Sequence, residues 1–485
     1  MTPHRPDRRS PATRRAAAAI LACAVLAGLL RMPFLWAGLG MDEGGYAHVV
    51  QQWSRGARLY GEAWLDRPQG LLLTYRFLLW IDDEGWTIRL GAVLAGLAIT
   101  VLVGLIGWLL VGRRAGVAAA GLYAVIGVAP HLEGFTLNGE LLASAPATLA
   151  VAAALLWCRY RSAGWLVTAG LAAGVATTMK PSGLDGIAVG LVVARLRTRR
   201  GRVAGSPPAL FLAASALPVG LSALHGWQLG WRDYWTALAG YQFAAMGGAA
   251  AGPGARWTDF TGSLGPAARD LAVVAAAAGV GLWLLRGAPS ARWVLLAWLG
   301  GAALGVNLGG SYWPHYYLQL LPPLTVLAAA AIAAIRRPRL RAGAAVITLL
   351  PQLIWLAALV PATPDERQQR IPYYGLARRD ERIAAAIRAE TSPHDRIFVL
   401  VSQSDIYFLA QRTTDYPYLW GKPIEKIPDA LPRLRAMLDS PHRPALVVLT
   451  NDPGKVDRSG ELGRILAERY RTRRVVDGVP LLAPA

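Results

Sequence analysis

Apolar stretches recur along the first three quarters of the chain, separated by short gaps in which polar and basic residues collect. A membrane-spanning helix needs roughly 20 apolar residues, fewer where anchoring side chains flank it. On that measure about eleven stretches qualify: 16–36, 87–111, 115–131, 139–158, 164–180, 183–196, 208–226, 267–285, 292–307, 316–335 and 342–360. The pair around Lys180-Pro181 is short and broken. After Pro361 the pattern changes. Helical periodicity over Asp380–Glu390, Ile427–Leu438 and Glu461–Tyr470 alternates with apolar strand-like runs at Ile397–Val401, Ala445–Thr450 and Arg474–Val476, which predicts a small α/β domain. The expected fold is therefore a polytopic α-helical membrane protein with a C-terminal α/β domain. Its expected parts are a basic tail (1–15), a membrane domain (16–360) with its first loop at 37–86, a linker (361–378) and the α/β domain (379–485).

Composition agrees with this reading. The 485 residues are 54% hydrophobic and only 16% charged, where soluble domains carry about a quarter charged. A net charge of +20 invites a nucleic-acid reading. Placement excludes it, because the arginines sit in the gaps between apolar stretches. With the N-terminus in the cytoplasm, the inner segments hold roughly 20 Lys/Arg against about 7 in the outer membrane-linking loops. An odd number of spans then puts the C-terminal domain outside, beside the first loop. The N-terminal run, preceded by Arg5, Arg8, Arg9, Arg14 and Arg15, continues to Trp36 without a small-x-small cleavage site and reads as a retained helix. Cys23 and Cys158 both lie in apolar runs, which is no pattern for a disulfide or metal site.

The candidate chemistry gathers on the face expected to be outer. The first loop opens with Asp42 and Glu43; if its start is helical, Asp42 and Tyr46 share a face. It closes with Asp66-Arg67-Pro68. A carboxylate and a guanidinium at a bilayer surface suit proton removal and phosphate neutralisation, and an ordinary charged loop accounts for them as well. Glu140 either favours the positive end of its helix or supplies a second carboxylate. Arg31 either snorkels to the interface or points inward to the site. Lys180 beside Pro181 is either an anion contact or an anchor. The aromatic segment Trp231 to Phe243 suits an interfacial helix, and the glycines at 247–254 would give a lid its hinge. His315, Tyr316 and Tyr317 suit a phosphate or sugar, and an aromatic belt equally. Walker A, Asp-x-Asp, His-Glu-x-x-His and Gly-x-Ser-x-Gly patterns are all absent from the sequence.

The stretch Asp42-Glu43-x-x-Tyr46, Gly56-x-x-x-Tyr60, Asp66-Arg67-Pro68 resembles the first outer loop of the polyprenyl-phosphate-dependent glycosyltransferases of the C superfamily. The branch it resembles holds the protein O-mannosyltransferases and the lipid A aminoarabinose transferase. Glu140, Lys180-Pro181 and His315-Tyr316-Tyr317 before Pro322-Pro323 are similar too. The resemblance implies inverting transfer of a sugar from a polyprenyl phosphate to a lipid, glycan or protein acceptor at the outer face of the cytoplasmic membrane. It makes Asp42 the general base. Glu43 and Glu140 would position the acceptor or stabilise the developing positive charge, and Arg67, aided by Lys180, would neutralise the phosphate. Tyr46, Tyr60, Asp66, His315 and Tyr316 complete the expected substrate contacts, with no metal and no cofactor. Where the family commonly has lysine this chain has Arg67, whose planar fork is not equivalent to a point charge. Two other classes remain at this stage: a transporter of a lipid-linked or anionic substrate, and a non-catalytic subunit of an envelope-assembly machine.

Overall fold

The computed structural model describes residues 10–198, 206–247, 253–371 and 376–485. Arg5, Arg8, Arg9, Arg199, Arg200, Arg202 and part of the glycine segment near 250 lie outside them. Among the described residues, every apolar stretch found in the sequence is helical, and eight helices are long and apolar enough to cross a membrane. Three are shorter. Arg113–Ile126 and Asp185–Thr198 have 14 residues each and Ala163–Met179 has 17. By length and composition, eight of the eleven expected spans meet the measure. The short helices are packed among the long ones: Ala163–Met179 lies against Gly139–Tyr160 and Pro207–Trp235, and Asp185–Thr198 lies against Pro289–Leu308.

The first loop holds two helices, Met41–Ser54 and Gln69–Ile81. The second turns Leu73, Phe77 and Trp80 outward on one face, the i, i+4, i+7 spacing of an apolar stripe. The aromatic segment expected as an interfacial helix continues the helix Pro207–Trp235 through a π-helical turn, Thr236–Gly240, into Tyr241–Gly247. Trp231 and Trp235 stay exposed, whereas Tyr234 packs on Tyr60 and Tyr241 on Trp64. The stretch expected as a linker carries a capped helix, Pro364–Arg370, whose Arg367 donates to the Pro33 carbonyl at the end of the first helix.

The C-terminal unit has a four-stranded sheet in the order β1 (Ile397–Val399), β2 (Leu446–Val448), β4 (Val479–Pro484), β3 (Tyr470–Val476). β1 and β2 are parallel; β4 runs antiparallel to both its neighbours. The expected strand at Arg474–Val476 is the end of a hairpin whose partner, Val479–Pro484, the pattern missed. Pro480 and Pro484 hide it, since proline demotes a run as a strand. The turn is Asp477-Gly478, both at positive φ (48° and 78°), the conformation such dipeptides favour in two-residue hairpins.

This unit presses on the first loop. A Cβ on Gly44 would stand 2.4 Å from the Cα of Asp405, and one on Gly45 would meet Ser404 and Trp420. Ser404 Oγ donates to the Met41 carbonyl (2.7 Å). The contact buries two carboxyls. Burial, and then the neighbouring Asp380, push Asp405 well above the carboxylate range. Burial pushes Asp380 up to about 6 against the opposing Arg379 guanidinium. A carboxyl whose folded value exceeds its unfolded one binds its proton more readily when folded, so stability declines as pH rises from about 4 to 6. Thermal unfolding of the whole protein is expected at higher temperature at pH 5 than at pH 7.5. Asp405→Asn should raise the value at pH 7.5, by about 2–4 °C for each kcal/mol released, and narrow the difference. An unchanged profile contradicts this.

Candidate active site

The site begins with a helix N-terminus. Met41–Ser54 starts after Gly40 and places Asp42 and Glu43 in its first turn, where carboxylates meet the positive end of the helix. Their neighbours separate their roles. Glu43 is buried and paired with Arg89 of the span Gly85–Leu110 (2.9 Å). It also accepts from the backbone N–H of Leu137 (2.9 Å) and of Gly40 (3.1 Å). Arg89 in turn donates to the carbonyls of Gly38 (2.7 Å) and Phe135 (3.3 Å). The pair ties the loop helix to a membrane helix and to the 135–138 turn. Asp42, one residue earlier, is left half-buried at a cavity of about 490 Å³.

The sequence-predicted residues converge there unevenly. Asp42, Glu43, Tyr46, Asp66, Arg67, Lys180, His315 and Tyr316 line the cavity. Arg67 holds Asp66 at 2.6 Å, just before the helix Gln69–Ile81, and lies 5.9 Å from the Tyr46 ring centroid. Lys180 occupies extended backbone where Ala163–Met179 ends, as the proline after it requires. Its ammonium bonds Glu140 and lies 3.9 Å from the Tyr316 ring centroid. Glu140 accordingly stands behind Lys180. His315 approaches Glu140 at 3.9 Å and Glu133 at 3.5 Å. Burial raises the Asp42 carboxyl above its ordinary value, with His315 and Arg67 opposing.

Two expected residues fall elsewhere. The Tyr60 hydroxyl donates to the Arg67 carbonyl (3.0 Å) and its ring faces Tyr234, so it braces the Asp66-Arg67 segment from outside the cavity. Arg31 neither snorkels nor reaches the site; it is buried and donates to the carbonyls of Ala27 (3.0 Å) and Gly127 (2.6 Å). Gly127 closes the short helix Arg113–Ile126, and the guanidinium finds there the carbonyl it would otherwise seek in water.

Three contributors escaped the sequence. Trp420 donates its indole N–H to Asp42 (3.1 Å) across 378 residues, a pairing that nothing local signals. Gln242 donates to Asp66 (2.9 Å) from the segment expected only to be interfacial. Glu133 stands at positive φ (57°), unusual outside glycine, in the turn before Glu140. Among the described residues, no group of three or more His, Cys, Asp or Glu is placed to hold a metal ion.

This arrangement of helices and C-terminal unit is a fold shared with solved structures of other proteins. Among solved structures, ArnT from Cupriavidus metallidurans bound to undecaprenyl phosphate aligns with a TM-score of 0.59 at 15% identity, over 96% of this chain and 97% of that one. Its apo state aligns at 0.60 and 14%, over 98% of each. The Archaeoglobus fulgidus oligosaccharyltransferase tethered to an acceptor peptide aligns at 0.56 and 11% identity, over 94% of this chain and 72% of that one. No protein-family model and no curated protein sequence matches the chain.

Breaking a buried ion pair by removing one partner typically costs ~3–5 kcal/mol, because the other charge is left uncompensated. Glu43→Ala is therefore expected to lower the unfolding temperature and the yield of monodisperse protein on gel filtration. Wild-type melting behaviour in that variant contradicts the role given to the pair.

Proposed function

We propose that this protein is a membrane glycosyltransferase that moves a sugar from a polyprenyl phosphate to an acceptor hydroxyl at the outer face of the cytoplasmic membrane. The observation that carries the reading is one cavity lined by a half-buried carboxylate, Asp42, together with Arg67 and Lys180, the last paired with Glu140 behind it. The likeness of fold to ArnT bound to undecaprenyl phosphate supports it, as does an oligosaccharyltransferase of the same fold in complex with a dolichol phosphate.

In this reading Asp42 takes the acceptor's proton as its oxygen attacks the anomeric carbon. The new C–O bond forms on one face while the bond to the phosphate oxygen breaks on the other, which inverts the centre. The electron pair leaves with the polyprenyl phosphate, and Arg67 and Lys180 neutralise its added charge. The Trp420 N–H holds Asp42 in place, and the hydrogen bond favours the ionised carboxylate that a base requires. Glu140 keeps the Lys180 ammonium aimed and partly compensated until the phosphate arrives. The arginine-rich gaps between apolar stretches support the outward orientation.

A general base contributes about 10²–10⁴-fold. Asp42→Asn should lower transfer from a labelled polyprenyl-phosphate sugar by at least about 100-fold, with melting temperature and membrane insertion unchanged. Near-wild-type transfer by the purified variant rejects the assignment. Arg67→Glu should weaken binding of undecaprenyl phosphate by about tenfold or more, the worth of one charge-assisted hydrogen bond. Unchanged affinity excludes Arg67 from phosphate recognition.

A further inference from the structure

A second cavity, of about 800 Å³, lies between the first loop and the C-terminal unit. It differs from the Asp42 cavity in chemistry. Three of its arginines sit against carboxylates: Arg58 with Asp233 (3.0 Å), Arg396 with Asp415, and Arg433 with Asp429 (3.9 Å). The remaining Arg232 is matched in number by Glu62. Four cations against four anions leave the lining without net charge, so it has no field to draw in a phosphate or a polyanion.

The cavity instead offers rings and unmatched hydrogen-bonding groups. Tyr416 and Tyr418 stand edge to face, 5.5 Å between centroids, along one side. His48 and Gln52, one turn apart on Met41–Ser54, line the other. His48 is 2% exposed, and both its Nε2 and the Gln52 Nε2 lack a hydrogen-bond partner. A buried polar group without a partner is costly unless something bonds it. Burial, with Arg55 adding, holds His48 down at about 3, so it meets a ligand as a neutral ring. Aromatic ring edges together with unpartnered, uncharged polar groups suit a polyol, whose C–H groups pack against rings while its hydroxyls both donate and accept bonds in several directions.

The same helix serves both cavities. Asp42 and Tyr46 face the first, His48 and Gln52 the second. Trp64 lines both, packed against Tyr241 on one side and Tyr418 on the other, each 5.3 Å away. We propose that the polar cavity binds an uncharged saccharide, the acceptor of the transfer reaction, with Trp64 as the partition past which its reacting hydroxyl meets Asp42. This rests on the glycosyltransferase reading for the word acceptor; the saccharide site itself rests on the lining.

Saturation-transfer NMR on the full-length protein in detergent tests it, with maltotriose, mannotriose and triacetylchitotriose as neutral probes and trigalacturonate as the anionic one. At least one neutral trisaccharide should bind. Thr414→Trp, which fills the cavity, should abolish its signal, and Gln52→Ala should weaken it by about fivefold, one neutral hydrogen bond. Both variants should bind undecaprenyl phosphate as the wild type does, which also reports that they are folded. No neutral trisaccharide bound, preference for trigalacturonate, or binding indifferent to both substitutions overturns the proposal. Turnover of the labelled donor is scored in parallel. Turnover without trisaccharide binding removes the saccharide site alone, and trisaccharide binding without turnover removes the transferase reading alone.

Discussion

One buried carboxylate–guanidinium pair decides where its neighbour can act. Glu43 and Arg89 are both withdrawn from water, and such a pair is tolerable only when its remaining donors and acceptors are met. Here the carbonyls of Gly38 and Phe135 take up both terminal nitrogens of Arg89, and the N–H groups of Leu137 and Gly40 reach the two oxygens of Glu43. The result is a joint between a membrane helix, a turn and the helix Met41–Ser54. Adjacent residues on a helix are about 100° apart, so fixing Glu43 into the protein fixes Asp42 toward the cavity. The two adjacent acids thus have different surroundings despite the same carboxyl chemistry.

The capping unit closes the other side of the same helix. Gly44 and Gly45 allow Asp405, Ser404 and Trp420 to approach closer than any side chain would permit, and Trp420 reaches Asp42. The C-terminal unit is thereby part of the cavity wall, since Ser402 and Lys422 line it as well. The cations opposite are held in turn. Lys180 is fixed by Glu140 and the end of its helix, and Arg67 by Asp66, which Gln242 anchors. A site whose charged groups are each held in place by a fixed partner needs little reorganising if charge develops within it.

Much of this was legible in the sequence. The Asp42–Tyr46 spacing, the break at Lys180-Pro181 and the position of His315-Tyr316 are local signals, and each marks cavity lining in the fold. The alternation of apolar stretches with arginine gaps located the helices because bilayer burial is a strong one-dimensional constraint. What stayed hidden was relational. Trp420 lies 378 residues from its partner. Arg31 read as an interfacial anchor because the open Gly127 carbonyl beside it belongs to another helix. Tyr60 carries the spacing of a site residue but serves as a brace. The strand Val479–Pro484 was obscured by its own prolines, and only the Asp477-Gly478 turn signalled it.

The measurement that bears most directly on the central claim is a structure of the protein in a lipid nanodisc with undecaprenyl phosphate bound. The phosphate should lie between Arg67 and Lys180 in the Asp42 cavity, its prenyl chain leaving toward the bilayer. Density for the phosphate outside that cavity, or within it but out of reach of both cations, would contradict the shared site.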